Sequence, residues 1–345
     1  MWGIDMAESM ACQGQILALS GGGFRGLYSA KLLASLEEAA GQPIARHFDL
    51  LGGTSIGGIL ALALACEIPT SRLVGLFEEH GDSIFKRRSW SGIFQSLYSP
   101  TGLANLLASE DIFGKRKLGD CVHRVIVPAI NYGTGNPTVF KTPHDPSFRN
   151  DYKLRLVDVA LATSAAPRYF PRHVVDDRQF VDGGLFANSP GLLALHEMEH
   201  FMDVPASAVR LLSIGTMSVK VNAGPAESGS GGMFDWGTLN PLNMPKRLFG
   251  LAISSSETTT DYMLRHRLTE ERYFRADDNV DGTLEKSVEL DCTNEKARRI
   301  LRRFADDRAR KMLNEPLIRK LLAYSAATNT FHYGARAVRG EQAYA

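Results

Sequence analysis

Twice within its first 66 residues the chain runs from a short apolar segment through a glycine-rich turn into an apolar stretch at helical spacing. ILAL at 16–19 leads through Gly21, Gly22 and Gly23 into Leu27 to Ala40, and FDLLGG at 48–53 leads through Thr54, Ser55, Ile56 and Gly57 into ILALALAC. A strand that turns at once into a helix, and then does so again, constrains the chain to an α/β sheet covered by helices. ILALALAC is apolar on every side, which predicts a helix enclosed by protein.

Further strands are predicted at 121–130 (CVHRVIVPAI), 137–143 (PTVFKTP) and 209–216 (VRLLSIGT), the first two separated by the turn-rich NYGTGN. VDVALATSAAPRYFPRHV predicts a short helix halted near Pro167, then a loop carrying Arg168, Tyr169 and Phe170. Residues 217–246, with AGPAESGSGG, have the composition of an irregular loop. A helix is expected over 251–274, starting near SSSE, and another over 294–323, with Ala297, Ile300, Leu301 and Phe304 on one face. No internal repeat interrupts this order, which predicts one domain over 1–345 with its core at about 15–215 and a helical C-terminal section at about 217–345.

The 39 basic and 38 acidic residues nearly cancel, so no global field draws the chain onto a DNA or RNA duplex. Cys12, Cys66, Cys121 and Cys292 are scattered and form no CxxC pair, as expected of free thiols in a reducing compartment. Asp5 and Glu8 stand where a signal peptide would be basic and then apolar, and the run from Ile56 to Cys66 falls far below the roughly 18 to 20 residues that span a bilayer. A cytoplasmic protein that visits a membrane surface is the expectation.

Three segments carry chemistry. Gly53-Thr54-Ser55-Ile56-Gly57 places a serine where a strand turns sharply into a helix, the setting of a nucleophile elbow whose small neighbours keep the hydroxyl exposed. Gly21, Gly22 and Gly23 lie between a strand and a helix, so their amides can converge on an oxyanion at the positive helix end; Arg25 either fixes this loop or faces an acidic group of a substrate. Asp182, in Phe180-Val181-Asp182-Gly183-Gly184, follows an apolar strand at a tight turn and can take a serine proton directly. None of the nine histidines stands in a setting that marks it as a triad base.

Taken in order, GGGFRG at 21–26, GTSIG at 53–57 and DGG at 182–184 resemble the patatin-like phospholipases, a family of Ser-Asp acyl hydrolases. The resemblance covers about 15–215. It implies a three-layer α/β/α sandwich with a mainly parallel central sheet and a helical C-terminal section. By the same resemblance Ser55 is the nucleophile and Asp182 the base. Gly21, Gly22, Gly23, Arg25 and Gly26 form the oxyanion loop, Gly53 and Gly57 shape the elbow, Gly183 and Gly184 complete the acid motif, and no cofactor or metal takes part. Ser20 replaces the Asp of many relatives, and Ser189 the Asn of many.

ATSAAPRYFP and the long C-terminal section further resemble the bacterial phospholipases that cyclic oligonucleotides switch on in antiphage defence. That resemblance implies a membrane phospholipid substrate, a cyclic di- or trinucleotide activator and transient contact at the inner membrane, with the 217–270 region as a gate or ligand site. It leaves open a homo-oligomer and a lipid acyl hydrolase that works constitutively.

Other readings of the same residues remain. Gly21, Gly23 and Gly26 also satisfy GxGxxG, with Asp49 spaced as a ribose-binding acid, which would suit a dinucleotide-binding protein. His196-Glu197-Met198-Glu199-His200 matches HExxH, a zinc pattern that helix packing equally accounts for. A non-catalytic ligand-sensing protein would keep the motifs without turnover. Met233, Phe234 and Trp236 could dip into a bilayer or cover the core.

Overall fold

A computed structural model describes residues 12–89, 95–217, 244–280, 284 and 287–338. The Met233, Phe234 and Trp236 reading, and most of the expected irregular loop, lie outside the described residues. An eight-stranded sheet runs through the structure. Its strands are β1 (Gly14–Leu19), β2 (Leu50–Gly53), β3 (Val125–Asn131), β4 (Asn136–Lys141), β5 (His173–Val175), β6 (Arg178–Asp182), β7 (Val209–Ile214) and β8 (Tyr273–Ala276). They lie in the order β5-β6-β3-β2-β1-β7-β8, with β4 also paired to β3. From β3 through β2, β1 and β7 to β8 every pairing is parallel, whereas β4, β5 and β6 join antiparallel at the β3 end.

The alternation of side chains along β1 divides the core in two. Leu17 and Leu19 face one layer, built from α1 (Gly26–Ala40), α2 (Ile56–Ala65), α3 (Thr70–Ile84), α4 (Pro100–Leu107) and α5 (Leu156–Thr163). Ile16 and Ala18 face the other, where Ala194, Leu195 and Met198 of α7 (Gly191–Phe201) pack beyond the single turn α6 (Gly184–Ala187). Helices therefore cover both faces, and the expected three-layer α/β/α sandwich with a mainly parallel sheet is what the chain adopts. ILALALAC is enclosed as its composition requires, with Ala61, Leu62 and Ala63 fully buried.

The C-terminal section differs in detail from its sequence pattern. The helix expected over 251–274 is α8 (Met244–Arg267), and after a turn at Thr269 the chain enters β8, which pairs with β7 from Leu211↔Tyr273 to Ile214↔Ala276. Four residues are too few for strand periodicity to show, so the edge strand went unread. The 294–323 helix is two: α9 (Glu295–Met312), capped where the Asn294 side chain accepts from the Ala297 amide at 2.9 Å, and α10 (Pro316–Leu322), which restarts on a proline. The stretch before Asp182 forms a β5–β6 hairpin. Its turn residues Asp176 and Asp177 both have positive φ, 47° and 62°, a conformation Asp tolerates better than most side chains.

Candidate active site

Ser55 occupies the point where β2 passes into α2 and carries φ 54° and ψ −126°, a backbone strain that lifts its hydroxyl off the sheet end. The turn closes this tightly only because its neighbours lack side chains. A Cβ on Gly53 would lie 2.1 Å from the Gly57 carbonyl oxygen, and one on Gly57 would lie 2.3 Å from that of Leu19. Thr163, at the end of α5, braces the turn: its hydroxyl accepts from the Ser55 amide at 3.0 Å and donates to the Pro128 carbonyl at 2.6 Å.

Asp182 ends β6 and points across at the elbow. The Ser55 hydroxyl donates to its Oδ2 at 2.7 Å, and the Gly184 amide donates to its Oδ1 at 2.7 Å. The carboxyl group is buried, and loss of solvent raises its pKa to about 6 against the opposing pull of the bonds from Gly184 and Ser55. Among the described residues no histidine hydrogen-bonds Ser55 or Asp182. His123 pairs with Glu67, His144 with Glu197 and His173 with Asp158.

The glycine loop leaves β1 beside this pair. Gly23 has φ 58°, and a Cβ there would lie 2.3 Å from the Leu290 carbonyl oxygen. At Gly22 a Cβ would lie 2.1 Å from Thr216 Oγ1, and at Gly26 one would lie 2.4 Å from Ile56. The Gly21 amide donates to the Asn188 carbonyl at 3.0 Å, while those of Gly22 and Gly23 donate to no acceptor among the described residues. The Arg25 side chain is buried and donates to the Met217 carbonyl at 3.0 Å and, from Nε, to the Gly22 carbonyl at 3.5 Å, contacts that suit the loop-fixing reading.

Gly22, Gly23, Ser55 and Asp182 line one cleft, narrow and partly open to solvent. Its remaining walls are mostly apolar, among them Phe24, Ile59, Phe85, Phe170 and, from α8, Phe249 and Ile253, with Ser164 and Asn188 as polar members. An apolar cleft that meets a serine, a buried carboxylate and unpaired amides at one end has the parts for acyl transfer to or from a long-chain ester. Residues 17–195 match the family model described as Patatin-like phospholipase.

The chain belongs to the patatin-like phospholipase family.

Among its relatives, a Pseudomonas aeruginosa protein named cGAMP-activated phospholipase is 43% identical over 326 residues, covering 92% of this chain and 95% of its own. A Vibrio cholerae protein of the same name is 35% identical over 315 residues, 82% of this chain and 87% of its own. An Escherichia coli protein named cUMP-AMP-activated phospholipase is 25% identical over 212 residues, 58% of this chain and 64% of its own.

Within this patatin-like phospholipase the two decoy motifs have structural occupations. Asp49, spaced as a ribose-binding acid, is buried below the sheet, where it accepts from the Gln15 amide and the Tyr324 hydroxyl, each at 2.8 Å. Glu197 of HExxH is buried against Lys141 Nζ at 2.6 Å and His144 Nε2 at 3.1 Å, while His196 and His200 are exposed and stacked on each other. Ser20 and Ser189 are both buried with hydroxyls that find no partner among the described residues.

Sequence reasoning missed Asn188, Thr216 and Glu257, which surround the glycine loop. Asn188 was visible only as part of FANSP following the acid motif, and nothing in the Ser/Thr-rich SSSETTT distinguished Glu257.

Proposed function

We propose that this protein is a phospholipid acyl hydrolase in which Ser55 is the nucleophile, Asp182 the general base, and the Gly22 and Gly23 amides the oxyanion donors. The observation that carries the reading is the 2.7 Å bond from the Ser55 hydroxyl to Asp182 at the end of an apolar cleft. In this scheme Asp182 takes the Ser55 proton as Oγ adds to the ester carbonyl, and the oxyanion that forms lies against amides already oriented to receive it. Asp182 returns the proton to the departing lysophospholipid oxygen. It then draws a proton from the water that attacks the acyl-serine, and passes it to Ser55 Oγ as the acyl bond breaks and the fatty acid leaves. A carboxylate with a pKa of about 6 is ionised at neutral pH yet basic enough for both transfers.

Nucleotide control is the second part of the proposal. Relatives named for activation by cGAMP align with most of this chain, including its C-terminal section, and their identity exceeds that of the relative named for cUMP-AMP. A cyclic GMP-AMP dinucleotide is accordingly the activator we assign, with the C-terminal section, continuous with the core in one domain, as the part that senses it. Among the described residues no helix is long and apolar enough to cross a membrane. The enzyme in this proposal reaches its substrate from the cytoplasm, at the inner membrane surface, and degrades host phospholipid in antiphage defence.

Fatty-acid release from phosphatidylethanolamine and phosphatidylglycerol vesicles tests both parts, using wild type, Ser55→Ala and Asp182→Ala with and without cyclic GMP-AMP or cyclic UMP-AMP. Release that needs both residues and rises with cyclic GMP-AMP is the expected result. Release without nucleotide would leave a constitutive hydrolase, and release by folded Ser55→Ala would overturn the dyad.

A further inference from the structure

We infer that Glu257, working through Asn188, is a positioning residue that aims the Gly22 amide into the active site. The inference rests on the reading of that amide as an oxyanion donor. A trans peptide is planar, so the carbonyl of Gly21 and the N–H of Gly22 point in opposite directions. Whatever grips the first therefore aims the second. The Gly21 oxygen is gripped from the protein side by two donors, the Thr216 hydroxyl at 3.0 Å and the Asn188 side-chain amide at 3.1 Å. By that planarity the Gly22 N–H is directed away from Thr216 and Asn188, and Gly22 is one of the residues that line the cavity.

Asn188 can grip in only one sense. Its Nδ2 has two protons: one goes to Gly21, and the other goes to Glu257 Oε1 at 3.0 Å. A half-turn of the amide would set Oδ1 against both the Gly21 carbonyl and the Glu257 carboxylate, and both of these are acceptors. Glu257 thus selects the rotamer in which Asn188 donates. Glu257 is itself buried and held by Arg275 at 3.5 Å, whose guanidinium also reaches Asp277 at 2.8 Å and Ser213 Oγ at 3.0 Å.

The neighbouring residue of α8 reinforces the link. Ser256 Oγ accepts from the Asn188 backbone amide at 3.2 Å and donates to the Phe186 carbonyl at 3.0 Å. The same helix lines the cleft with Phe249 and Ile253. A single helix of the C-terminal section therefore both shapes the cleft and orients the loop that would receive the oxyanion.

Steady-state hydrolysis of a short-chain nitrophenyl ester, with cyclic GMP-AMP present and active sites counted by fluorophosphonate titration, tests this in wild type, Ser55→Ala, Glu257→Met, Asn188→Ala and the Glu257→Met/Asn188→Ala double variant. Both single variants are expected to lose roughly 10- to 100-fold in kcat at nearly constant KM, short of the full loss of an oxyanion donor. The double variant should fall well short of the product of the two single losses, because Glu257 reaches the Gly21 carbonyl through Asn188. Unchanged kcat per active site, or losses that multiply in the double variant, would overturn the inference. If Glu257→Met does not fold, two isosteric variants decide: Glu257→Gln, whose Oε1 can still accept from Asn188, should keep kcat within about threefold of wild type, and Asn188→Asp, which cannot donate to the Gly21 carbonyl, should lose more than that at constant KM; the reverse order overturns the inference. Wild-type turnover that survives Ser55→Ala would instead defeat the catalytic reading on which the inference stands.

Discussion

Asp182 divides its two oxygens between the Ser55 hydroxyl and the Gly184 amide, each at 2.7 Å, and is otherwise shut away from water. One bond ties the carboxylate to the group it would deprotonate, while the other fixes its orientation from within its own turn. The arrangement needs no intervening imidazole.

The pH profile follows from that burial. With Asp182 required in its ionised form and its pKa near 6, kcat/KM should rise with pH through about 6 and level off above it. The midpoint belongs to the Ser55–Asp182 pair together. Initial rates on a nitrophenyl ester across pH 4 to 9 would measure it, and a midpoint near the ordinary carboxylate value would contradict a desolvated base.

Stability should move the opposite way. The folded pKa of Asp182 lies above its ordinary value of 3.8, so the native state holds the proton more tightly than the unfolded chain does. That stabilising contribution is complete below about pH 4 and is lost as pH rises through about 6. Asp182→Asn, which cannot ionise, should therefore be more stable than wild type near pH 7.5, by up to roughly 3 kcal/mol, while being inactive. Urea melts at that pH and near pH 4 check the sign, with the gap expected to close at the lower value.

Two glycine substitutions should part company. Gly57→Ala would drive a methyl into the Leu19 and Ser20 carbonyl oxygens, at 2.3 and 2.6 Å, where only backbone movement gives room. A cost of about 2 kcal/mol or more, with loss of turnover, is expected. Gly75→Ala, in α3, meets nothing closer than Glu79 Oε1 at 3.4 Å and should gain roughly 0.5 to 1 kcal/mol by favouring helix. Thermal melts of the pair give the comparison.

Asp49 should matter to folding and not to turnover. Its Oδ2 serves Gln15 and Tyr324, and its Oδ1 accepts from the Ala327 amide at 3.2 Å, which pins the last part of the chain under the sheet. Asp49→Asn is expected to cost about 1 to 3 kcal/mol while leaving kcat per active site unchanged. A lower kcat with intact stability would return Asp49 to the functional residues.

The cleft wall contributed by α8 should set acyl length. Ile253→Phe adds bulk where Ile253 faces the cavity, and should lower kcat/KM for long-chain nitrophenyl esters by about tenfold relative to short ones. Equal losses for all chain lengths would mean that the long chain runs elsewhere.

What the sequence disclosed and what it hid divide along physical lines. Ser55, Asp182 and Gly21 to Gly23 were legible because each sits in a contiguous string whose glycines record a backbone demand: a strained elbow, a left-handed Gly23, a turn after β6. The central strands were legible as apolar runs for the same local reason. Glu257 was not, since its importance comes from a contact with Asn188 across 69 positions. Asp49 misled in the converse way: its spacing from the glycine loop matched a cofactor motif, while two of its partners, Tyr324 and Ala327, arrive from late in the chain. The edge strand β8 escaped because four residues record no period.

That edge strand bears on how the molecule is made. β7 lies between β1 and β8, so until Tyr273–Ala276 leaves the ribosome, Val209–Ile214 presents an open row of backbone donors and acceptors along its outer side. The nascent sheet is adhesive over the time needed to synthesise the intervening residues, and a chain broken off after Met217 stays so. Premature termination would yield a polypeptide inclined to associate edge to edge with its own copies, rather than a smaller enzyme freed of its C-terminal section.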